Sequence, residues 1–282
     1  MVAYRPKSQR DLTRLRDHYE IEKALAGQLR AADRGERSRL YKSVYNELFQ
    51  RVPDHPQLTR LANANARARD LNRQMTLLRR FTSPGMTYLE LGAGDCSVAL
   101  EMAKAAARVY AVEVSDEITR GLDAPTNFTL LITDGSDIPV APGQVDLVYS
   151  NQLMEHLHPE DSEAVLQNVI RAMKPGAAYV CVTPNAISGP HDISGRFDGS
   201  PSGFHLKEYA VGEMVELFRA AGFSRFRLVI GARGIFLPFQ VPVWPVRFLE
   251  SALRLLPSRT RRVVARTYLM RLLLGMNFVA FK

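Results

Sequence analysis

Apolar residues recur at helical spacing through the first third of the chain. Leu12, Leu15 and Tyr19 follow a helix-start pairing of Ser8 with Asp11. Residues 8–82 therefore read as helical, interrupted at Val52-Pro-Asp-His-Pro56 and resumed from about Leu58 to Phe81. Ser83-Pro84-Gly85 marks a turn, and beyond it short β-rich runs alternate with helices. Strands are predicted at Thr87–Leu91, Arg108–Val112, Phe128–Ile132, Val145–Tyr149, Ala177–Thr183 and Ser224–Ile230. Helices are predicted after Gly94 and at Asp116–Leu122, Asp161–Met173 and Lys207–Ala221. Such alternation builds parallel βαβ units whose sheet is covered on both faces.

The rhythm breaks at residues 235–274. Gly234 to Val246 is uncharged and apolar and holds Pro238, Pro242 and Pro245. It cannot be a central strand, because proline lacks the ladder donor, and it is too short to cross a bilayer as a helix. Two basic amphipathic stretches follow, Arg247–Leu256 and Ser258–Leu274, and a final strand lies within Gly275–Phe281. The expected organisation is an α/β fold with a seven-stranded, mostly parallel sheet and helices on both faces. Residues 1–82 form a helical N-terminal extension, 83–234 and 275–282 the core, and 235–274 an apolar, basic helical insertion before the last strand.

Composition changes the picture in two places. The chain has 282 residues, 46% hydrophobic and 23% charged, ordinary for a protein that buries a sizeable core. The net charge of +8, however, is uneven. Residues 1–82 hold 18 basic and 9 acidic side chains, 83–244 hold 11 and 19, and 245–282 hold 8 and 1. An acidic centre between two basic ends is compatible with solvated helices or with an anionic partner. The second place is cysteine. Only Cys96 and Cys181 occur, neither at metal spacing, so no disulfide framework is expected and a reducing, cytoplasmic compartment is. No apolar run opens the chain, so a secretory leader is not expected.

The most informative stretch is Tyr88-Leu-Glu-Leu-Gly-Ala-Gly-Asp-Cys-Ser97. A strand runs into Gly92 and Gly94 and a helix follows, an arrangement in which backbone can approach a ligand closely and helix-start N–H groups can face a carboxylate or phosphate. The third glycine of a dinucleotide fingerprint would fall at Ser97. Glu113 ends the second strand, where an acid can take both hydroxyls of a ribose. Asp134-Gly135 ends the third strand, where an acid can accept from an exocyclic amine, and Asn151 ends the fourth. All of these positions lie at carboxyl ends of strands, where open α/β sheets bind ligands.

Read together, Leu-Glu-Leu-Gly-Ala-Gly, Val-Glu-Val-Ser, Thr-Asp-Gly-Ser-Asp-Ile-Pro, Asp-Leu-Val-Tyr-Ser and Lys-Pro-Gly-Ala resemble class I S-adenosyl-L-methionine-dependent methyltransferases over about residues 85–230 and the last strand. The resemblance implies a Rossmann-like core, with the N-terminal extension as a lid over the cofactor cleft. It places Glu90, Gly92 and Gly94 around the methionine part of the cofactor, Glu113 on the ribose, Asp134 and Gly135 on the adenine side, and Asn151 beside the sulfonium. Cys96 stands where many members carry a third glycine.

Ser150-Asn-Gln-Leu-Met-Glu155-His156 is also similar to the corresponding loop of ubiquinone-biosynthesis O-methyltransferases, which use a Glu-x-x-Glu-His set for a divalent cation. Here the first acid is Gln152, a poor match for a hard cation, and no residue is assigned to a metal. Between the fifth strand and the next helix runs a long loop carrying His191 and His205, of a length that suggests function. It resembles methyltransferases of bacterial polysaccharide and natural-product clusters, which implies a sugar or other small hydroxylated acceptor. His156, His191 and His205 are the candidates for the base that removes a hydroxyl proton.

Two other classes share some of these features. A nicotinamide-dependent oxidoreductase has the glycine loop and ribose acid but is disfavoured by Ser97 and by the Asp134 motif. A noncatalytic membrane-surface or nucleic-acid-binding protein would use the basic ends and leave the glycine loop unexplained, and no nucleic-acid partner is expected. The helices of 235–274 pack on their own sheet or cover the acceptor pocket, with a homodimer contact or a peripheral membrane contact as alternatives.

Overall fold

The computed structural model describes residues 11–114, 119, 122–133, 137–232 and 234–282. Most of the helix predicted over Asp116–Leu122, and the Asp134–Gly135 pair, lie outside the described residues.

The N-terminal extension forms α1 (Leu12–Ala31), α2 (Arg34–Arg51), α3 (Pro56–Leu61) and α4 (Ala64–Leu78). The break at Val52–Pro56 is present, but two further breaks divide what periodicity joins. Asp33 starts α2 through a reciprocal capping box with Glu36, and the Asn63 side chain accepts from the Ala66 N–H to start α4.

The core continues with β1 (Thr87–Leu91), α5 (Ser97–Ala103), β2 (Arg108–Glu113), β3 (Phe128–Ile132) and β4 (Val145–Asn151). It is followed by α6 (Pro159–Ala172), β5 (Met173–Thr183), α7 (Val211–Ala220) and β6 (Arg225–Leu228). The insertion contributes the two-residue strands β7 (Gly231–Ala232), β8 (Ile235–Phe236) and β9 (Val241–Pro242), then α8 (Trp244–Arg254), α9 (Ser258–Ala265) and α10 (Tyr268–Leu273). β10 (Met276–Phe281) closes the chain order.

The main sheet runs β3-β2-β1-β4-β5-β10-β6-β9. β3 to β5 are parallel to their neighbours, and β10 enters antiparallel between β5 and β6. The sheet thus has eight strands rather than seven. The additional strand comes from the proline-rich segment, where Val241 and Pro242 pair with Leu228 and Arg227. β9 is the sheet's edge, the place where a residue without an N–H is tolerated. The insertion is accordingly not wholly helical.

Period-two alternation assigns each strand's side chains to two cores. Leu89, Leu91, Val148, Tyr179, Cys181 and Phe278 face one side, with Leu25, Leu29, Val44 and Leu48 of α1 and α2. Tyr88, Leu147, Tyr149, Val180 and Val279 face the other, with Met75 and Leu78 of α4 and Val98 and Met102 of α5. The N-terminal helices thus share cores with the sheet, and α1 and α2 cover the face next to the carboxyl end of β1. No described helix is long and apolar enough to cross a membrane.

Candidate active site

β1 delivers Glu90 and Leu91 to the turn Gly92-Ala93-Gly94. Both glycines take left-handed backbone, at φ 64° and 56°, which only glycine adopts without strain. A Cβ on Gly92 would stand 3.1 Å from Leu153 Cδ1. Cys96 also has positive φ, at 57°, and its small side chain is buried. The loop is tied to the next strand: Ala93 N–H donates to the Val112 carbonyl at 3.1 Å and Gly94 N–H to Glu113 Oε2 at 2.8 Å. Glu113 Oε1 accepts from the Val114 N–H at 2.9 Å. The acid chosen for ribose therefore lies against the glycine loop.

A cleft opens here, lined among others by Tyr41, Tyr45, Gly92, Glu113, Leu153 and His156. Its apolar walls and the Glu113 carboxylate suit a nucleoside with vicinal hydroxyls, and a side chain on Gly92 would press on Leu153. The residues present fit S-adenosylmethionine. Glu90, Gly94 and Asn151 flank this lining without forming part of it. Glu90 is buried, and burial, with Asp95 and Glu113 nearby, raises its pKa to about 8 against the Tyr88 hydroxyl, which donates at 3.2 Å. Asn151 closes β4 beside Gln152, whose own φ is 55°.

The three histidines separate. His156 lines the cleft; its Nδ1–H donates to the Phe204 carbonyl at 3.0 Å, which leaves the lone pair on Nε2. Burial, with His205 nearby, lowers its pKa to about 3. His205 stands edge-on to it with ring centres 4.9 Å apart, and its Nδ1 donates to Glu208 Oε1 at 2.7 Å. Burial opposes a charge on His205, but Glu208, Glu155 and Asp192 outweigh that effect and raise its pKa. His191 is not in the lining. Its ring contacts Ser188 Oγ at 3.0 Å and the Asn185 carbonyl at 3.1 Å, and the His191 backbone N–H donates to Glu208 Oε1.

The loop bearing His191 and His205 is held from both sides. Arg30 of α1 donates to the carbonyls of Ser202, Gly203 and His205. From the insertion, Arg266 donates to those of Ser188 and Pro190, and Glu250 accepts from Asn185 Nδ2 at 2.7 Å. Sequence reasoning missed the two tyrosines of the lining. Their i, i+4 spacing on α2 was legible as a helix face but not as a face over the cleft.

Among the described residues, two groups bring three ligand atoms within 4.8 Å of one another: His18, Glu22 and His55, and Glu155, His156 and His205. In the first, His55 Nδ1 accepts from the Gln57 N–H, so the neutral ring carries its proton on Nε2, the atom facing Glu22. In the second, both rings donate through Nδ1. Glu155 Oε2 accepts from Thr183 Oγ1, and Oε1 is buried without a partner. That second group could hold a metal ion, although the sequence reading assigned none.

Residues 89–176 match the family model for a methyltransferase domain. The chain is 29% identical over 124 residues to phosphoethanolamine N-methyltransferase 1 of Triticum aestivum, a match that covers 40% of this chain and 24% of the relative. It is 25% identical over 126 residues to an uncharacterized methyltransferase of Synechocystis, covering 44% and 59%. The chain thus spans less than two thirds of the length of these curated relatives. A solved structure of phosphoethanolamine N-methyltransferase 2 from Haemonchus contortus, in complex with phosphomonomethylethanolamine and S-adenosylhomocysteine, superposes with a TM-score of 0.50 at 16% identity, over 74% of this chain and 52% of that one. That likeness shows the fold. With the glycine loop, the acid at the end of β2 and the strand order already described, the family match identifies residues 89–176 as a methyltransferase domain.

Proposed function

We propose that this chain is an S-adenosylmethionine-dependent methyltransferase that O-methylates a sugar or another small hydroxylated acceptor of glycan or natural-product biosynthesis. The observation that carries this reading is one cleft bounded by the Gly92 turn and Glu113 on one side and by His156 on the other. When bound, the cofactor supplies an electrophilic methyl group on a sulfonium. Gly92 and Gly94 would admit its methionine end and Glu113 would take its ribose hydroxyls, with Asn151 near the sulfonium and Asp134 and Gly135 on the adenine side. Tyr41, Tyr45 and the loop held by Arg30 would exclude water and align the acceptor.

His156 receives the proton. Burial favours its neutral imidazole, and a hydroxyl oxygen becomes strongly acidic as it takes the methyl group, so a weak base suffices. His205, oriented by Glu208, stands edge-on beside it. His191 orders the loop. Both cysteines are buried and unpaired, which suits a reducing, cytoplasmic compartment.

Calorimetry tests the cofactor. S-adenosylmethionine should bind and NAD should not, and Glu113→Ala should weaken S-adenosylmethionine by about 5- to 150-fold, from about 1–3 kcal/mol of lost hydrogen bonding. Unchanged affinity would remove Glu113 from the ribose site. The names of the curated relatives favour a second reading, methylation of an amine on a phosphorylated amino alcohol. Labelled-methyl transfer to hydroxyl acceptors and to phosphoethanolamine separates the two. For a hydroxyl, His156→Gln should lower kcat about a hundredfold; an amine, which attacks through its own lone pair, should be spared. Transfer that is lost on chelation and restored by zinc would make His156 a metal ligand instead of the base.

A further inference from the structure

Eleven large apolar residues are exposed among the described residues, and nine of them fall between Ile235 and Leu269. The concentration is sharpest on α8. Val246, Glu250 and Leu253 form its inner face and are buried. Glu250 fixes that face by accepting from Asn185 Nδ2 and from the Val211 N–H at 3.0 Å. Trp244, Phe248 and Leu255 occupy positions i, i+4 and i+11, within about 40° of one another around the helix. They are 68%, 75% and 87% exposed. Thus α8 is apolar on two opposite faces and only one of them is covered. The preceding segment adds exposed Ile235, Leu237 and Phe239, and the following helices add Val263, Tyr268 and Leu269.

Charge selects the occupant. Residues 235–282 contain seven arginines and one lysine against a single acid, the buried Glu250. Arg247 lies beside Phe248 in sequence, and Arg259 and Arg262 lie one turn or less from Val263 on α9. A second copy meeting this face through a two-fold axis would set the same arginines against each other. A nucleic acid would meet tryptophan, phenylalanine and leucine where its interfaces are polar. An anionic bilayer satisfies both features: aromatic and aliphatic side chains enter the headgroup boundary while arginines meet lipid phosphates.

We infer that Trp244, Phe248 and Leu255, framed by the arginines of α8 and α9, form a docking surface for an anionic membrane. The surface is separate from the cofactor cleft, and its operation does not depend on the methyl-transfer reading. Through Glu250 and Arg266 the docked helices also hold the loop that carries His191 and His205.

Trp244 is the only tryptophan of the chain, so its fluorescence reports on this face alone. With the full chain at low salt, phosphatidylcholine vesicles containing phosphatidylglycerol should shift its emission to the blue and carry the protein upward in flotation. Pure phosphatidylcholine should do neither, and high salt should release the protein. Arg259→Ala/Arg262→Ala should reduce partitioning roughly thirtyfold, and Phe248→Ser/Leu255→Ser should abolish it. Phe248, Leu255 and Arg259 are exposed and Arg262 is half-buried, and unchanged circular-dichroism melting confirms that each variant folds. The inference is overturned if the protein stays in the soluble fraction with anionic vesicles at low salt, or if both variants partition as the parent does. A blue shift that grows with protein concentration without lipid overturns it as well, by showing that a second copy covers the face.

Discussion

Arg37→Ala is expected to lower the unfolding free energy by about 3–5 kcal/mol, the cost of leaving a buried partner charge uncompensated. Arg37 is 2% exposed although it carries a full charge. Its Nε donates to Asp161 Oδ2 at 2.8 Å and its Nη2 to Asp161 Oδ1 at 3.1 Å, a bidentate pair that joins α2 to α6. Nη1 donates to the Ala32 carbonyl at 2.6 Å, and Nη2 reaches Glu160 as well. The exposed Glu160 carries little of the effect, because water screens it. Asp161 also accepts from the Tyr41 hydroxyl at 2.8 Å, and that oxygen accepts from the His158 N–H. Removing the guanidinium therefore disturbs a wall of the cleft as well as the fold. Urea denaturation of Arg37→Ala, Asp161→Leu and Arg37→Met/Asp161→Leu forms the measurement. The double variant should recover much of the loss, since an apolar pair of similar volume can replace a buried ion pair. A single variant within about 1 kcal/mol of the parent would show that the pair does not hold α2 to the core.

The second large effect is a pH dependence centred on Glu90. Burial, together with Asp95 and Glu113, holds its native pKa at about 8, against 4.5 for an unburied carboxyl. Between these values the native chain keeps a proton that the unfolded chain has released. Native protein then binds more protons, so stability falls as pH rises from about 4.5 to about 8 and levels off above that. The window corresponds to at most about 5 kcal/mol. Glu90→Gln cannot ionise and can still accept from the Tyr88 hydroxyl. It should match the parent near pH 4.5, exceed it by several kcal/mol at pH 8, and show a flatter profile in denaturation experiments without cofactor. Parallel profiles for the two proteins would mean that Glu90 ionises normally in the native state.

What could be read from the sequence had a local cause. Strand and helix alternation shows in the period of the apolar residues, and the Gly92–Gly94 turn and Glu113 are fixed by where strands end. The breaks at Asp33 and Asn63 were within reach, because Asp33-Arg-Gly-Glu36 is a capping box written in order; helical periodicity on either side obscured it. β9 escaped notice because a two-residue edge strand has no period and its proline argues only against a central place. Contacts across the chain were not legible. Tyr41 meets Asp161 through 120 positions of sequence and Arg30 meets His205 through 175, and no pattern local to either partner records the meeting. The same limit separates the histidines: composition ranks His156 and His191 alike, whereas the fold brings only the former to the cleft. Asp134 and Gly135 lie outside the described residues, and their part rests on the resemblance alone.

The placement of β10 bears on how the chain is made. It comes after every other element in sequence yet lies inside the sheet, between β5 and β6. A chain emerging from the ribosome can assemble β1 to β5 and their helices early, but β5 keeps an open edge until residues 276–281 have been synthesised. Such late, non-local closure is slow, and for that interval the nascent protein carries an unpaired, apolar strand of the kind that recruits other strands. Translation that stalls within α8 to α10 would prolong this state, so aggregation during synthesis should track progress through that segment more closely than the stability of the finished fold.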